Sequence, residues 1–332
     1  MPPSEWNVLD FEKPITELDT QIAEIKRLTM ERGEDRSDDI AILEQDRDRL
    51  LVEIFANLST WDRVLLARHP KRPYTLDYVR VMFDDYTELS GDRLFADDHA
   101  MVGGIATLEG REVMFVGQQK GRDLKDRQYR NFGSAKPEGY RKALRLMKLA
   151  EKFKRPVICL VDTPAADCSV GSEERGISEA IARNLMEIST LETPVIAVIL
   201  GEGGSGGALG IAIADRILMM EHAVYSVIPP ESCAAILWRD PTKHKEMAEA
   251  LKITSGDALR LGVIDEVIAE PPGGAHRNVE IAARNVKAAL IKHLDQLEKL
   301  KIPKLVDERY KKFRNMGLFQ EPQNTPEKSL DE

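Results

Sequence analysis

The chain has 332 residues, of which 42% are hydrophobic and 31% charged, enough for one large domain with an appendage or for two domains. A formal net charge of −9 gives no bulk attraction to nucleic acid or to an anionic membrane, and no apolar run reaches membrane-spanning length. Three scattered cysteines (Cys159, Cys168, Cys233) without a C-x-x-C pair exclude a zinc ribbon and fit a reducing, cytoplasmic setting, and six scattered histidines without an H-x-x-x-H pair predict no metal in this chain.

Residues 1–13 read as a loose lead-in. Pro14 opens a helix whose apolar stripe is Ile15, Leu18, Ile22, Ile25 and Leu28. After a polar break, Ile40, Leu43, Leu50, Ile54 and Leu58 mark a second helix, interrupted at Arg47. The pair predicts an antiparallel helical hairpin, an arm over residues 1–60 that packs on the body, packs on a partner, or stands solvated. A short helix over 61–68 and another from an N-cap at Thr75 to Phe83 follow, then an acidic irregular stretch, 84–99. Residues 101–108 and 112–119 read as a hairpin turned at Glu109-Gly110-Arg111. The basic run Lys120, Arg122, Lys125, Arg127 and Arg130 is either a solvated surface or a contact for anionic groups. Helices are expected over 137–154, 173–190, 230–238, 243–252, 255–261, 278–300 and 306–314. Strands are expected over 157–161, 194–200, 216–220, 223–228 and 263–268. Strand and helix alternate from about 101 to 268, so an α/β core with mostly parallel strands is predicted over residues 61–320, with a polar tail at 321–332.

The strand Pro194–Leu200 runs into Gly201-Glu202-Gly203-Gly204-Ser205-Gly206-Gly207, five glycines in seven residues, followed by a helix-compatible Ala208–Ala214. Strand, glycine turn and helix start present bare backbone N–H groups together with the positive end of a helix dipole. The stretch is either a close-packed turn or a cradle for an oxyanion. It is no phosphate loop, because no Gly-Lys-Ser/Thr follows. The G-x-G-x-x-G spacing is met at Gly201, Gly203 and Gly206, but outside a clear dinucleotide-binding βαβ context, although Glu221 lies about twenty residues on. Ligands in such cores sit beyond strand carboxyl ends, so Asp162-Thr163-Pro164 and Gly201–Gly207 should share one rim.

Several motifs together resemble one family. They are Arg68–Tyr78 (RHPKRPYTLDY), Pro137–Ala143 (PEGYRKA), Glu173-Glu174-Arg175-Gly176, Gly201–Ala208 and Gly273-Gly274-Ala275-His276. In this order, over nearly the whole chain, they resemble the carboxyltransferase alpha subunit of bacterial acetyl-CoA carboxylase. The resemblance implies an α/β fold of crotonase type, a spiral of ββα units with the helical hairpin arm attached. It implies a transferase active only with a beta subunit that carries a zinc finger and much of the acetyl-CoA site, in an expected α2β2 assembly. Carboxybiotin on the biotin carboxyl carrier protein, charged by biotin carboxylase in an ATP-dependent complex, would give its carboxyl to acetyl-CoA. The product is malonyl-CoA, for fatty acid biosynthesis. The backbone N–H groups of Gly206, Gly207 and Ala208 are the implied oxyanion donors. Gly203, Gly204, Ser205, Asp162, Thr163 and Pro164 are the implied cofactor-binding residues, with no metal in this chain.

The sequence also departs from that family's pattern. The usual D-T-P-G-A-Y-P-G is Asp162-Thr163-Pro164-Ala165-Ala166-Asp167-Cys168-Ser169 here, and the usual G-H-Q-K-G is Gly117-Gln118-Gln119-Lys120-Gly121. Ser134-Ala135 replaces Met-Pro, and Pro229-Pro230-Glu231-Ser232 replaces Ser-Pro-Glu-Gly. An alanine or serine forced into a glycine's left-handed conformation would strain the loop by roughly 1 kcal/mol per site. Asp167 would add negative charge near an anion site, and Cys168 is either a reactive thiol or an inert small residue. Two alternatives therefore stand beside the catalytic subunit: a divergent paralogue, non-catalytic or using another acyl-CoA, and a self-contained crotonase-like hydrolase or isomerase.

Overall fold

The structure, a computed structural model, describes residues 8–33 and 35–317. The expected tail 321–332 and the first seven residues of the expected lead-in lie outside these residues. The arm consists of α1 (Lys13–Arg32) and α2 (Ser37–Ala56). Lys26 pairs with Glu44 at 2.7 Å and Asp19 with Arg47 at 3.6 Å, which fixes the two helices antiparallel. The end of the arm nearest the body is covered: Ile15, Ile22 and Leu51 are buried, while Met30 and Ile42 farther out are exposed.

The lead-in is not loose where the structure describes it. Asp10–Glu12 forms a helical turn, and Glu12 is buried. Its carboxylate lies 2.8 Å from His276 Nε2 and 4.0 Å from His69 Nε2, so two histidines far apart in sequence meet one acid. The His69 Nδ1 accepts the Lys71 N–H at 3.1 Å, which leaves the ring proton on Nε2. The trio forms a clasp between arm and body, with Glu12 hydrogen-bonded to His276 and His69 beside them at 4.0 Å.

The body follows as α3 (Thr60–Ala67), α4 (Thr75–Met82), β1 (Asp85–Glu88), β2 (Met101–Leu108) and β3 (Arg111–Gln118). Then come α5 (Leu124–Tyr129), α6 (Pro137–Lys152), β4 (Val157–Thr163), α7 (Val170–Glu174) and α8 (Ile177–Ser189). Next are β5 (Val195–Gly204), α9 (Ser205–Ala212), β6 (Arg216–Met220) and β7 (Val224–Ser226). The chain closes with α10 (Pro230–Trp238), α11 (His244–Leu251), α12 (Ser255–Arg260), β8 (Glu266–Ile268), α13 (Val279–Leu297) and α14 (Ile302–Arg314).

The sheet runs β1-β2-β3-β4-β5-β6-β8, in chain order, with β7 paired to the far end of β5. β1 to β3 are antiparallel, and pairing from β3 onward is parallel. The β2–β3 turn places Glu109 at φ 49° and Gly110 at φ 73°, the two left-handed residues that a tight hairpin needs. Every residue of β4 is buried, as is β5 from Val195 to Gly203, which explains why both read as unbroken apolar runs.

Four further expectations change. The acidic stretch contains β1, and the basic run contains α5, both too short and polar to show periodicity. The helix expected over 173–190 is two helices, broken where Gly176 turns left-handed at φ 80°. The glycine stretch is not mostly a turn: β5 continues to Gly204 and α9 starts at once at Ser205.

Candidate functional site

The carboxyl ends of β4 and β5 do share one rim. The Asp162 carboxylate accepts the Glu202 N–H at 3.0 Å, and β4 shifts register against β5 between Val161 and Thr163. The rim is built by close backbone approach. A Cβ on Gly204 would sit 1.9 Å from the Pro164 carbonyl oxygen, and one on Gly207 would sit 2.6 Å from the Ala165 and Ala166 backbone. Neither position has room for a side chain. Gly206 differs, because a Cβ there meets only the Ile181 side chain, at 3.6 Å.

The strand-to-helix junction is sharp. Ser205 takes φ 51°, a left-handed conformation that costs a non-glycine residue about 1 kcal/mol or more. Helix α9 then leaves the Ser205, Gly206 and Gly207 amides without an intrahelical acceptor. The Ala208 N–H, expected as a third oxyanion donor, instead falls at the fourth position and closes the first helical bond on the Gly204 carbonyl. Gly204, Ser205 and Gly206 are partly exposed, whereas Gly207 and Ala208 are buried. An apolar groove of about 360 Å³ begins at Ser205 and Gly206 and runs along Leu209, Val227, Val263 and Phe313.

The opposite side of the rim is charged. Lys120 Nζ lies 2.8 Å from both Asp162 Oδ1 and Glu202 Oε2. Arg68 bonds Glu202 at 2.7 Å and Glu231 at 2.5 Å. Burial would raise the Glu202 carboxyl, but Lys120 and Arg68 overcome it and hold the carboxyl at about 2. Burial likewise opposes the Lys120 charge, and Asp162 and Glu202 together keep its ammonium well above the usual lysine range. Lys120, Glu202 and Arg68 were not expected as site residues. The basic run and the motif containing Arg68 were visible, but the acids that pair with them come from other strand ends.

The expected cofactor-binding residues divide into two sets. Asp162 and Thr163 are buried and bonded to the protein itself, Thr163 Oγ1 donating to the Ala165 carbonyl at 2.7 Å. Gly203 is closed off by the Tyr225 ring, 2.7 Å from where its Cβ would be. Pro164 and Gly204 line a small cleft with Arg68 and Glu202. Ser205 opens on the apolar groove.

The divergent loop is not strained. None of residues 165–169 has a positive φ, so the lost glycines leave no left-handed alanine or serine behind. Asp167 accepts from Asn131 at 3.1 Å and from Ser169 and Ser172 at 2.5 Å each, and its N–H donates to the Ala135 carbonyl. Partial burial would raise its carboxyl, but these donors lower it. Its charge is held by hydrogen bonds from the loop itself and from the neighbouring Asn131 and α7.

Among the described residues no helix is long and apolar enough to cross a membrane. A family model described as acetyl co-enzyme A carboxylase carboxyltransferase-like matches residues 8–317. The chain is 54% identical over 313 residues to the acetyl-coenzyme A carboxylase carboxyl transferase subunit alpha of Geobacter metallireducens, covering 94% of this chain and 98% of that one. It is 52% identical over 312 residues to the protein of the same name from Staphylococcus haemolyticus, covering 94% and 99%. Among solved structures it is similar in fold to transcarboxylase 12S, at TM-score 0.51 and 23% identity over 65% of this chain and 42% of that one. The chain thus spans less than half of that protein's length. A Pseudomonas malonate decarboxylase hetero-tetramer in complex with malonate is similar at TM-score 0.52 and 17% identity, over 63% and 83%.

Proposed function

The chain belongs to the family of acetyl-coenzyme A carboxylase carboxyltransferase alpha subunits, a crotonase-like carboxyl transferase family, and from that premise we propose that its glycine junction is the half-site that receives carboxybiotin. The observation that carries this reading is the junction itself. Ser205, Gly206 and Gly207 offer amides at a helix N-terminus, and Gly206 faces an accessible groove without a side chain of its own. The donor set fits a biotin ureido group, whose carbonyl oxygen becomes anionic when the carboxyl leaves. Bound biotin supplies the transferable carboxyl, and on its departure a nitrogen able to take a proton from the acyl-CoA methyl group.

The chain's own residues do the rest. The Gly206 and Gly207 N–H groups stabilise the developing oxyanion, with the α9 dipole behind them. Each such donor is worth on the order of a hundredfold in rate. Asp162, Thr163 and the Lys120–Glu202–Arg68 network hold the two strand ends at fixed separation rather than reacting. No side-chain nucleophile is required, in keeping with a site built of backbone. The acyl-CoA half of the site is assigned to a zinc-finger beta subunit in an α2β2 assembly. The biotin carboxyl carrier protein presents the cofactor, biotin carboxylase recharges it, and the complex works in the cytoplasm with acetyl-CoA as substrate. The unstrained 165–169 loop and the internally bonded Asp167 support a catalytic subunit over a non-catalytic paralogue.

The test combines the purified chain with a cognate beta subunit and follows malonyl-CoA-dependent carboxylation of biocytin. Turnover is expected only with both chains present. A folded, partner-bound complex without turnover would overturn the reading. Gly206→Val sharpens it, because that Cβ has room: assembly and melting temperature should stay, while turnover falls by about a hundredfold or more.

A further inference from the structure

Gln118 ends β3, is fully buried, and touches both strand ends of the rim. Its Nε2 donates to the Gly207 carbonyl at 3.0 Å, and its Oε1 accepts the Asp162 N–H at 3.1 Å. Tyr140 Oη donates to the same Gly207 carbonyl at 3.2 Å. The Gln118 backbone is itself anchored, its carbonyl accepting from Thr75 Oγ1 at 2.6 Å. A carboxamide is the shortest uncharged side chain able to accept at one end and donate at the other. Here it ties the β4 end to the first turn of α9.

That turn needs an outside tie. Its entry residue Ser205 is left-handed, and three of its first six positions are glycine, so local backbone preference does not define it. Fixing the Gly207 carbonyl fixes the peptide plane that follows the two proposed donor amides. We propose that Gln118 is the positioning residue of this reaction, holding the Gly206 and Gly207 amides in register with the oxyanion while never touching substrate. This inference rests on the glycine junction being the oxyanion site. The titratable groups bonded along the same path are Asp162 and Tyr140, with Lys120 and Glu202 beyond Asp162.

The test uses the whole chain, alone and with its beta subunit, as wild type, Gln118→Met and Gln118→Glu. In the complex, Gln118→Met should lower kcat by about tenfold or more at every pH, the scale of a buried N–H at Asp162 losing its acceptor while the Gly207 carbonyl loses one of its two donors, with KM for the acyl-CoA within about twofold. Gln118→Glu should be equally impaired at high pH, where a carboxylate faces the Gly207 carbonyl. It should recover as the pH falls, because a neutral carboxyl restores one donor and one acceptor, and burial raises its pKa toward the assay range. The wild type should lack this limb. In the chain alone, amide hydrogen exchange over residues 208–211, the first amides with helical acceptors, should accelerate by about tenfold in Gln118→Met. Full kcat in Gln118→Met, or unchanged exchange, overturns the proposal. Gln118→Glu with the wild-type pH profile does the same. A wild-type complex without turnover overturns the oxyanion reading instead, and the exchange experiment then still decides whether Gln118 holds the turn.

Discussion

The two strand ends that meet at the rim hold their shape by opposite means. After β5, the backbone at Gly204 and Gly207 packs directly on the Pro164–Ala166 backbone, so its shape depends on missing side chains. After β4, residues 165–169 have lost the glycines of the family pattern, and Asp167 holds the loop through side-chain donors. A contour defined by absence admits no substitution, because any Cβ is an obstacle. A contour defined by hydrogen bonds can be rebuilt from other residues. The two sides of the rim therefore differ in how much substitution each can accept.

The largest effect should come from Gly204→Ala, whose Cβ would lie 1.9 Å from the Pro164 carbonyl oxygen. Steady-state assay of the complex should show turnover reduced by about a hundredfold or more, since both strand ends must part. Near wild-type turnover would break the comparison. Glu202→Gln comes next, measured by denaturant unfolding. It leaves Lys120 and Arg68 short of a partner and should cost about 3–5 kcal/mol at neutral pH. The Glu202 carboxyl sits at about 2 against an ordinary 4.5, so its stabilisation is complete above pH 4.5 and disappears as pH falls toward 2. The gap between variant and wild type should narrow over that window and stay constant above it. Asp167→Ala removes the acceptor for Asn131, Ser169 and Ser172 and should lower stability by about 1–3 kcal/mol. The smallest effect belongs to Ala165→Gly. Because Ala165 keeps negative φ, restoring the family's glycine should destabilise by about 0.4–1 kcal/mol, through the unfolded chain alone. A stabilised variant would mean that Ala165 is strained after all.

The buried strands and amphipathic helices were legible because they are long and periodic, as in β4, β5, α6 and α8. The glycine stretch was legible as a strand, a glycine run and a helix start, but the point where strand gives way to helix was not. Composition cannot show that β5 runs on through Gly203 and Gly204, because pairing with β7 and β4 draws those glycines into the sheet. The ion network was hidden for a different reason. Lys120, Asp162, Glu202 and Arg68 lie on four segments, and their convergence follows only from strand order. Gln118 was visible as a departure from the family pattern, yet its two hydrogen bonds reach residues 44 and 89 positions away. The clasp of Glu12, His69 and His276 was likewise invisible to a search for closely spaced histidines.

That clasp sets a timetable for synthesis. His276 follows Glu12 out of the ribosome 264 residues later. At about 5–20 residues per second, the arm waits roughly 13 to 50 seconds for its anchor. A segment made well before its anchor is thus fastened only once that anchor has been made.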